Sequence, residues 1–222
     1  MEEHIVRIIS TEQLTHDVKR FQVEKPEGYS FIPGQATDVS VNRPDLKSKK
    51  RPFTFTGLTS YPYLEFTIKI YPAHKGVTSE MDKLKPGDEI IIRDMWGAIA
   101  YQGNGVFIAG GAGITPFISI FRDLREKNEV AGNTLIFANK TKADIILEQE
   151  FQKLLGRDFI NILSDEVIDG YFHGMLSEDF LKANISDFNR KFYVCGPPKM
   201  MIAVKSQLAN LGVGKNSIVV EF

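Results

Sequence analysis

Hydrophobic and polar residues follow two different rhythms along this chain. Up to about residue 101 they alternate in short runs rich in branched and aromatic side chains: Ile5–Ile9, Val18–Val23, Ala36–Val41 and Leu64–Tyr71. A period of two marks a strand with one buried face. Between the runs lie Pro26-Glu27-Gly28, Pro33-Gly34 and Lys85-Pro86-Gly87-Asp88, all turn signals. Strands so spaced predict a small antiparallel β-barrel, interrupted by one short helix over about Val77 to Leu84.

Beyond Gly103-Asn104-Gly105 the pattern changes to continuous apolar runs followed by helical periods. Val106–Ala109 and Thr134–Ala138 read as strands covered on both faces. Phe159–Leu163, Lys191–Cys195 and a final strand over Ser217–Phe222 are of the same kind. Helices are predicted through Leu124, from about Asp144 to Leu155, and from Pro197 to about Leu211. The last carries Met200, Val204, Leu208 and Leu211 at helical spacing. Alternating strands and helices predict an α/β domain with a parallel sheet, whose ligand crevice lies at the strand C-termini. The expected division is 1–101 and 102–222.

Composition narrows the chemistry. The 222 residues suffice for two compact domains, and a net charge of −1 lacks the basic excess of a nucleic-acid binder. Basic and acidic residues balance in both halves. A single cysteine, Cys195, excludes an internal disulfide or a self-contained iron–sulfur cluster, and four scattered histidines lack metal-ligand spacing. No metal is expected, so redox chemistry here requires an organic cofactor. Without a run of about 20 apolar residues or a secretory leader after Met1-Glu2-Glu3-His4, membrane insertion is not expected and the cytoplasm is the expected compartment.

Four short motifs carry candidate chemistry. Gly110-Gly111-Ala112-Gly113-Ile114-Thr115-Pro116 lies between a buried strand and a helix start, where backbone N–H groups can receive a pyrophosphate. It reads equally as a tight turn, and it is not the G-x-G-x-x-G fingerprint. Cys195-Gly196-Pro197-Pro198-Lys199-Met200 repeats that arrangement at a later strand end; alone, it is a buried cysteine closing a strand. Arg51-Pro52-Phe53-Thr54 offers a cation for a diphosphate, an aromatic for a flat ring and a hydroxyl for a ring nitrogen. By itself it is a strand-edge arginine beside core aromatics. Gly76-Val77-Thr78-Ser79 is an N-cap or an anion site.

Taken in order, Arg-x-aromatic-Thr, Gly-x-x-Ser, Gly-x-Gly-x-x-Pro and Cys-Gly-Pro-Pro resemble the ferredoxin–NADP⁺ reductase superfamily over nearly the whole chain. Gly110–Pro116 and Phe137-Ala138-Asn139-Lys140-Thr141 are particularly similar to NADH-using cytochrome reductases and flavohaemoglobin reductase domains; the whole also resembles bacterial flavodoxin reductases. The resemblance implies an FAD-binding barrel, a nicotinamide-binding domain, and hydride transfer from NADH or NADPH to FAD. Electrons then pass to a separate carrier such as flavodoxin or ferredoxin. An electron-supplying oxygenase component, a free flavin or ferric reductase, and a non-catalytic nucleotide module are the alternatives.

By that resemblance Arg51 and Pro52 lie at the FAD pyrophosphate, Phe53 packs on the flavin and Thr54 approaches its N5 edge. Thr67 and Lys69 lie on the strand contacting flavin and ribityl chain, and Gly76, Val77, Thr78 and Ser79 cradle the pyrophosphate. Gly111, Gly113, Thr115 and Pro116, with Asn139, bind the dinucleotide. Cys195 sits beside the nicotinamide, Gly196, Pro197 and Met200 shape its pocket, and Phe222 shields the flavin. Thr54, Cys195 and Phe222 are the residues placed at the reacting rings. Phe53 replaces the usual tyrosine, so stacking survives without a phenolic hydrogen bond. Ser164-Asp165 stands where NADPH-preferring members carry Ser-Arg, which favours NADH; Lys140 argues the other way.

Overall fold

The computed structural model describes residues 2–71, 76–97 and 99–220. The chain divides into two compact units, Met1–Ala100 with Thr115–Asp123, and Tyr101–Ile114 with Leu124–Phe222.

In the first unit the strands are β1 (Glu3–Thr15), β2 (Val18–Glu24), β3 (Ala36–Val41), β4 (Arg51–Thr54), β5 (Tyr63–Lys69), β6 (Glu89–Arg93) and β7 (Met95–Trp96), with helix α1 (Val77–Asp82) between β5 and β6. All pairings are antiparallel, in the order β4-β3-β6-β1-β2-β5, with β7 added to β3. A bridge between Phe55 and Phe66 joins the two ends of that order, and Thr56 N–H donates to the Glu65 carbonyl at 2.8 Å. The sheet therefore closes on itself as a barrel. Inward positions alternate along its strands, as Val6, Ile8, Phe21, Val23, Phe55 and Phe66 show, each at most 2% exposed. Proline at position 52 is tolerated because β4 pairs along its length only with β3.

The second unit holds β8 (Gly105–Gly110), β9 (Thr134–Asn139), β10 (Phe159–Leu163), β11 (Phe172–His173), β12 (Lys191–Cys195) and β13 (Ile218–Val220). These form one wholly parallel sheet in the order β11-β10-β9-β8-β12-β13. Helix α2 (Thr115–Glu126) follows β8, and the remaining helices are α3 (Glu148–Leu155), α4 (Glu178–Asn184) and α5 (Pro198–Asn210). From β8 the chain proceeds outward in one direction through β9 and β10, then returns to β12 on the other side. The strand order thus reverses between β8 and β12, where open α/β sheets present a crevice. The antiparallel barrel followed by a parallel α/β domain is the architecture expected from the hydrophobic pattern.

Several local expectations need correction. The helix foreseen from Asp144 is a single 3-10 turn over Lys142–Asp144, and α3 begins only at Glu148. Ile145 and Ile146 are both buried and Leu147 has φ 54°, so the chain breaks to bury adjacent branched residues before the helix starts. On α5 the buried stripe is Met201, Val204 and Leu208, while Met200 and Leu211 are only half-buried. Trp96 is 42% exposed on β7, a two-residue addition at the sheet margin. Strands β6, β7 and β11 and helix α4 were not foreseen; their segments are too short or too mixed to carry a clear period. The last described strand spans Ile218–Val220, and Glu221 and Phe222 lie outside the described residues.

Candidate functional site

In the barrel unit, β4 presents Arg51 and Pro52 exposed and Phe53 and Thr54 half-buried. The Arg51 guanidinium donates to the Lys50 carbonyl at 3.0 Å and stands in solvent at the strand start. Phe53 packs against the barrel core. At α1, Gly76 occupies the N-cap with extended backbone and no side-chain cap, and Ser79 Oγ donates back to the Gly76 carbonyl at 2.8 Å. Gly76 and Ser79 line a cavity of about 510 Å³ together with Leu46, Ile70, two lysines, Lys49 and Lys83, and three acids, Asp45, Glu80 and Asp82. The N–H groups of the first turn of α1 have no side-chain cap and can receive an anion, against which the three carboxylates act. Val77 is buried beneath it and Thr78 half-buried.

The strand β5 residues behave differently from a solvated face. Thr67 is 4% exposed and its hydroxyl donates to Thr56 Oγ1 at 3.2 Å; Thr56 in turn donates to Glu65 Oε1 at 3.0 Å. Arg122 of α2 closes this network, donating to Glu65 Oε1 at 2.6 Å and the Thr56 carbonyl at 2.9 Å. Glu65 and Arg122 are 3% and 7% exposed, so the ion pair is buried. Gly34 N–H donates to Ser119 Oγ at 3.0 Å on the same helix. Lys69 pairs with Asp17 at 2.8 Å. The sequence reading missed Thr56, Glu65 and Arg122. One signal was present: Arg122 follows Ile118 by four positions, on the stripe shared by Phe117 and Phe121.

In the α/β unit, the two glycine turns flank the reversal point of the sheet. After β8, Gly111 has φ +50° with open space around its Cα, so its backbone is unobstructed. A Cβ on Gly113 would meet the Cys195 carbonyl oxygen at 2.3 Å, and one on Gly110 would meet Met200 Sδ at 2.4 Å. The same holds for Gly196, where Met200 Cε would lie at 2.6 Å. Gly110, Gly113, Cys195, Gly196, Pro197 and Met200 are thereby brought into one assembly. Met200 serves it as the filler over two glycines, which explains its departure from the α5 stripe. Cys195 and Gly196 are half-buried and Pro197 exposed. Thr115 and Pro116 open α2 directly after the first turn, Thr115 half-buried and Pro116 buried.

At the ends of β9 and β10 the parallel ladder continues into the loops. Ser164 N–H donates to the Asn139 carbonyl at 3.0 Å and Asp165 N–H to the Lys140 carbonyl at 2.9 Å. This sets Asp165, exposed, beside Lys140. Asn139 is 8% exposed and neither atom of its carboxamide has a hydrogen-bond partner. Glu166, Lys142 and Tyr171, which the sequence reading did not single out, cluster here too. Phe222, expected over the flavin, lies outside the described residues.

Comparison with known proteins gives this geometry a context. Residues 5–101 match the oxidoreductase FAD-binding domain family and residues 107–206 the oxidoreductase NAD-binding domain family. NADH-cytochrome b5 reductase 2 of Mycosarcoma maydis is 32% identical over 214 residues, covering 86% of this chain and 61% of that protein. The reductase component of propane 2-monooxygenase from Rhodococcus jostii is 28% identical over 233 residues, covering 96% of this chain and 61% of that one. Among solved structures, the flavohem-like FAD/NAD-binding domain of nitric oxide dioxygenase from Vibrio cholerae O1 biovar El Tor superposes with a TM-score of 0.88 at 22% identity, covering 98% of this chain and 97% of that one. A ferredoxin NADP⁺ reductase from Neisseria gonorrhoeae, solved with bound FAD and NADP, gives 0.86 at 18% identity, covering 100% and 98%. These structures share its fold. With an FAD-binding family matched to the barrel half, an NAD-binding family matched to the parallel-sheet half, and both in this order along the chain, the protein belongs to the ferredoxin–NADP⁺ reductase superfamily.

Proposed function

We propose that the protein is an FAD-dependent reductase that accepts reducing equivalents from a nicotinamide dinucleotide and delivers them to a separate electron carrier. The observation that carries this reading is the pair of glycine turns meeting at the reversal point of the parallel sheet, Gly110–Gly113 against Cys195–Gly196. Backbone packed so closely leaves the Gly111 peptide open to a diphosphate.

When bound, FAD supplies the exchange between two-electron and one-electron transfer. The residues of the chain bind and orient. We assign residues 1–101 to FAD and 102–222 to the dinucleotide. Arg51 neutralises the FAD diphosphate from its exposed position, and Gly76–Ser79 offer backbone N–H groups from the cavity wall. Phe53 and Thr54 border the isoalloxazine ring. Thr67 acts from a distance: its hydroxyl is spent on Thr56, so it supports the strand. Gly111, Gly113, Thr115, Pro116 and Asn139 take the dinucleotide, and Cys195, Gly196, Pro197 and Met200 form the nicotinamide end. Asp165 accepts from the adenosine ribose hydroxyls, which favours NADH over NADPH. No side chain need act as a proton donor or acceptor, because hydride transfer moves none through the protein.

Flavodoxin or ferredoxin is the carrier proposed. An oxygenase component is the second reading, supported by the near-complete cover of this chain by a monooxygenase reductase. The test is an absorbance spectrum of the purified protein, followed by anaerobic addition of NADH and then NADPH to separate samples. A yellow protein bleached faster by NADH is the expected result. A protein that stays colourless after incubation with FAD, or a yellow one bleached by neither nucleotide, overturns the reading.

A further inference from the structure

Helix α2 is buried on every side over its first two turns. Pro116 to Arg122 are seven consecutive buried residues, so no face of this stretch meets solvent. Two of the seven, Ser119 and Arg122, are polar, and their spacing of three puts them on one face of the helix. Both are bonded into the barrel. Ser119 Oγ accepts the Gly34 N–H at 3.0 Å and donates to the Pro116 carbonyl at 3.2 Å. Arg122 Nη1 donates to Glu65 Oε1 at 2.6 Å and to the Thr56 carbonyl at 2.9 Å. Gly34 has φ +99°, and a Cβ there would stand 2.2 Å from the Ile99 carbonyl oxygen and 3.3 Å from Ile120 Cδ1, so the helix sits directly on the barrel turn.

We infer that Ser119 and Arg122 are positioning residues for flavin reduction: they fix the first turn of α2, and with it Thr115 and Pro116, to the barrel that carries the flavin, an inference that rests on the reductase reading above. The division of the chain supports it. Thr115–Asp123 groups with the barrel, whereas the glycine turn before it, up to Ile114, groups with the parallel sheet. Two of the residues assigned to the dinucleotide thus belong to the flavin-binding unit and are fixed relative to β5, the strand of Thr67 and Lys69. Hydrophobic burial is non-directional, so apolar contacts alone resist a small shift of the helix only weakly. The bonds to Glu65 and to the Gly34 N–H resist it more, because any shift leaves buried polar groups unpaired. Hydride transfer is sensitive to displacements of about 1 Å in the groups that orient the reactants. Ser119 acts more directly of the two, since one hydroxyl joins the Gly34 N–H of the barrel to the Pro116 carbonyl of the first turn. Arg122 acts on that turn through the helix.

Ser119→Ala removes the bridge without adding volume, and Arg122→Met combined with Glu65→Leu replaces the ion pair by apolar side chains of similar size. Each is compared with the wild type, as purified holoprotein, by anaerobic rapid mixing with NADH over a range of concentrations. The limiting rate of flavin reduction falls about tenfold in either variant. The NADH concentration giving half that rate changes by less than about twofold, since Gly111 and Gly113 still take the diphosphate. FAD content stays at the wild-type level, as does reoxidation of dithionite-reduced flavin by two equivalents of ferricyanide, because neither uses the first turn of α2. Hydrogen exchange over residues 115–123 gives a readout independent of turnover. That segment exchanges about fivefold faster in Ser119→Ala, the scale of one net hydrogen bond, while the barrel strands are unaltered.

A limiting rate at the wild-type level in both variants, with FAD retained, overturns the inference and leaves the reductase reading intact. So does a loss in Ser119→Ala that runs in parallel with FAD content or with ferricyanide reoxidation, which marks a general loosening of the fold. If Ser119→Ala slows reduction and the double variant matches the wild type, the role given to Arg122 falls. A wild type that holds FAD and is reduced by neither NADH nor NADPH removes the reductase reading itself.

Discussion

Tyr193 shows how one side chain serves packing and polarity together. Its ring is fully buried and stacks on Phe107 at 4.2 Å, while its hydroxyl donates to the Gly103 carbonyl at 2.7 Å and accepts from Gln102 N–H at 2.8 Å. Burial raises its pKa above the ordinary tyrosine value, as it does for Tyr29, whose hydroxyl donates to the Arg93 carbonyl at 2.6 Å. The folded state therefore holds these protons more tightly than the unfolded chain. Their stabilisation is fully present below the unfolded pKa, about 10, and is lost as pH rises through the higher folded value. Denaturant titrations at a series of pH values from neutral to strongly alkaline should show stability falling beyond pH ~10. Tyr193→Phe should cost about 1–2 kcal/mol at neutral pH and show a shallower alkaline decline. A parallel decline in variant and wild type would refute the assignment. Residue 193 was legible as a strand position; its hydroxyl partners, some 90 residues away, were not.

At the scale of elements, α2 illustrates a helix read correctly for its existence and incompletely for its role. Its apolar positions at Phe117, Ile118, Ile120, Phe121 and Leu124 announce a buried stripe. The stripe also contains Arg122, and a buried guanidinium needs an equally buried carboxylate. Glu65 provides it from β5, with Thr56 completing the hydrogen bonding. Arg122→Met alone leaves Glu65 charged and unpaired, and should destabilise the barrel unit by about 3–5 kcal/mol. Arg122→Met with Glu65→Leu should recover most of that loss, because an apolar pair of similar volume replaces both ions. Denaturant midpoints of the two variants decide the matter: equal losses would mean the pair contributes little beyond its volume. Glu65, Thr67 and Lys69 alternate with apolar residues as a solvated strand face would. Such a period cannot reveal that Glu65 is buried against a helix and Thr67 against Thr56.

For the molecule as a whole, the balanced net charge of −1 conceals a local excess in Lys47-Ser48-Lys49-Lys50-Arg51, every residue of which is exposed. The loop is positioned from below by Arg93, 1% exposed, which donates to the Lys47 carbonyl at 3.3 Å and to Ser40 Oγ at 3.1 Å while pairing with Glu3 at 2.8 Å. A basic edge at the start of the Arg51 strand would steer an acidic carrier, and such steering weakens with salt. Turnover with flavodoxin as acceptor should fall as ionic strength rises. Replacing Lys47 and Lys50 by Gln should flatten that dependence and leave flavin reduction by NADH unchanged. An unaltered salt slope would remove the loop from carrier docking. Among the described residues no helix is long and apolar enough to cross a membrane.

The sequence alone determined the properties that depend on near neighbours: strand or helix from the hydrophobic period, the turns from glycine and proline, and the order of barrel before parallel sheet. It also located the glycine turns, because backbone that must approach another backbone closely tolerates no Cβ, as Gly113 against the Cys195 carbonyl demonstrates. Tertiary structure decided what each polar side chain faces. It buried Glu65 against Arg122 of α2 and Thr67 against Thr56, drew Met200 off its helical stripe onto two glycines, and set the Glu166 carboxylate on the Lys142 backbone N–H. Periodicity records that a residue is polar and which way it points; the partner it meets comes from a distant segment, and only the folded chain brings that segment to it.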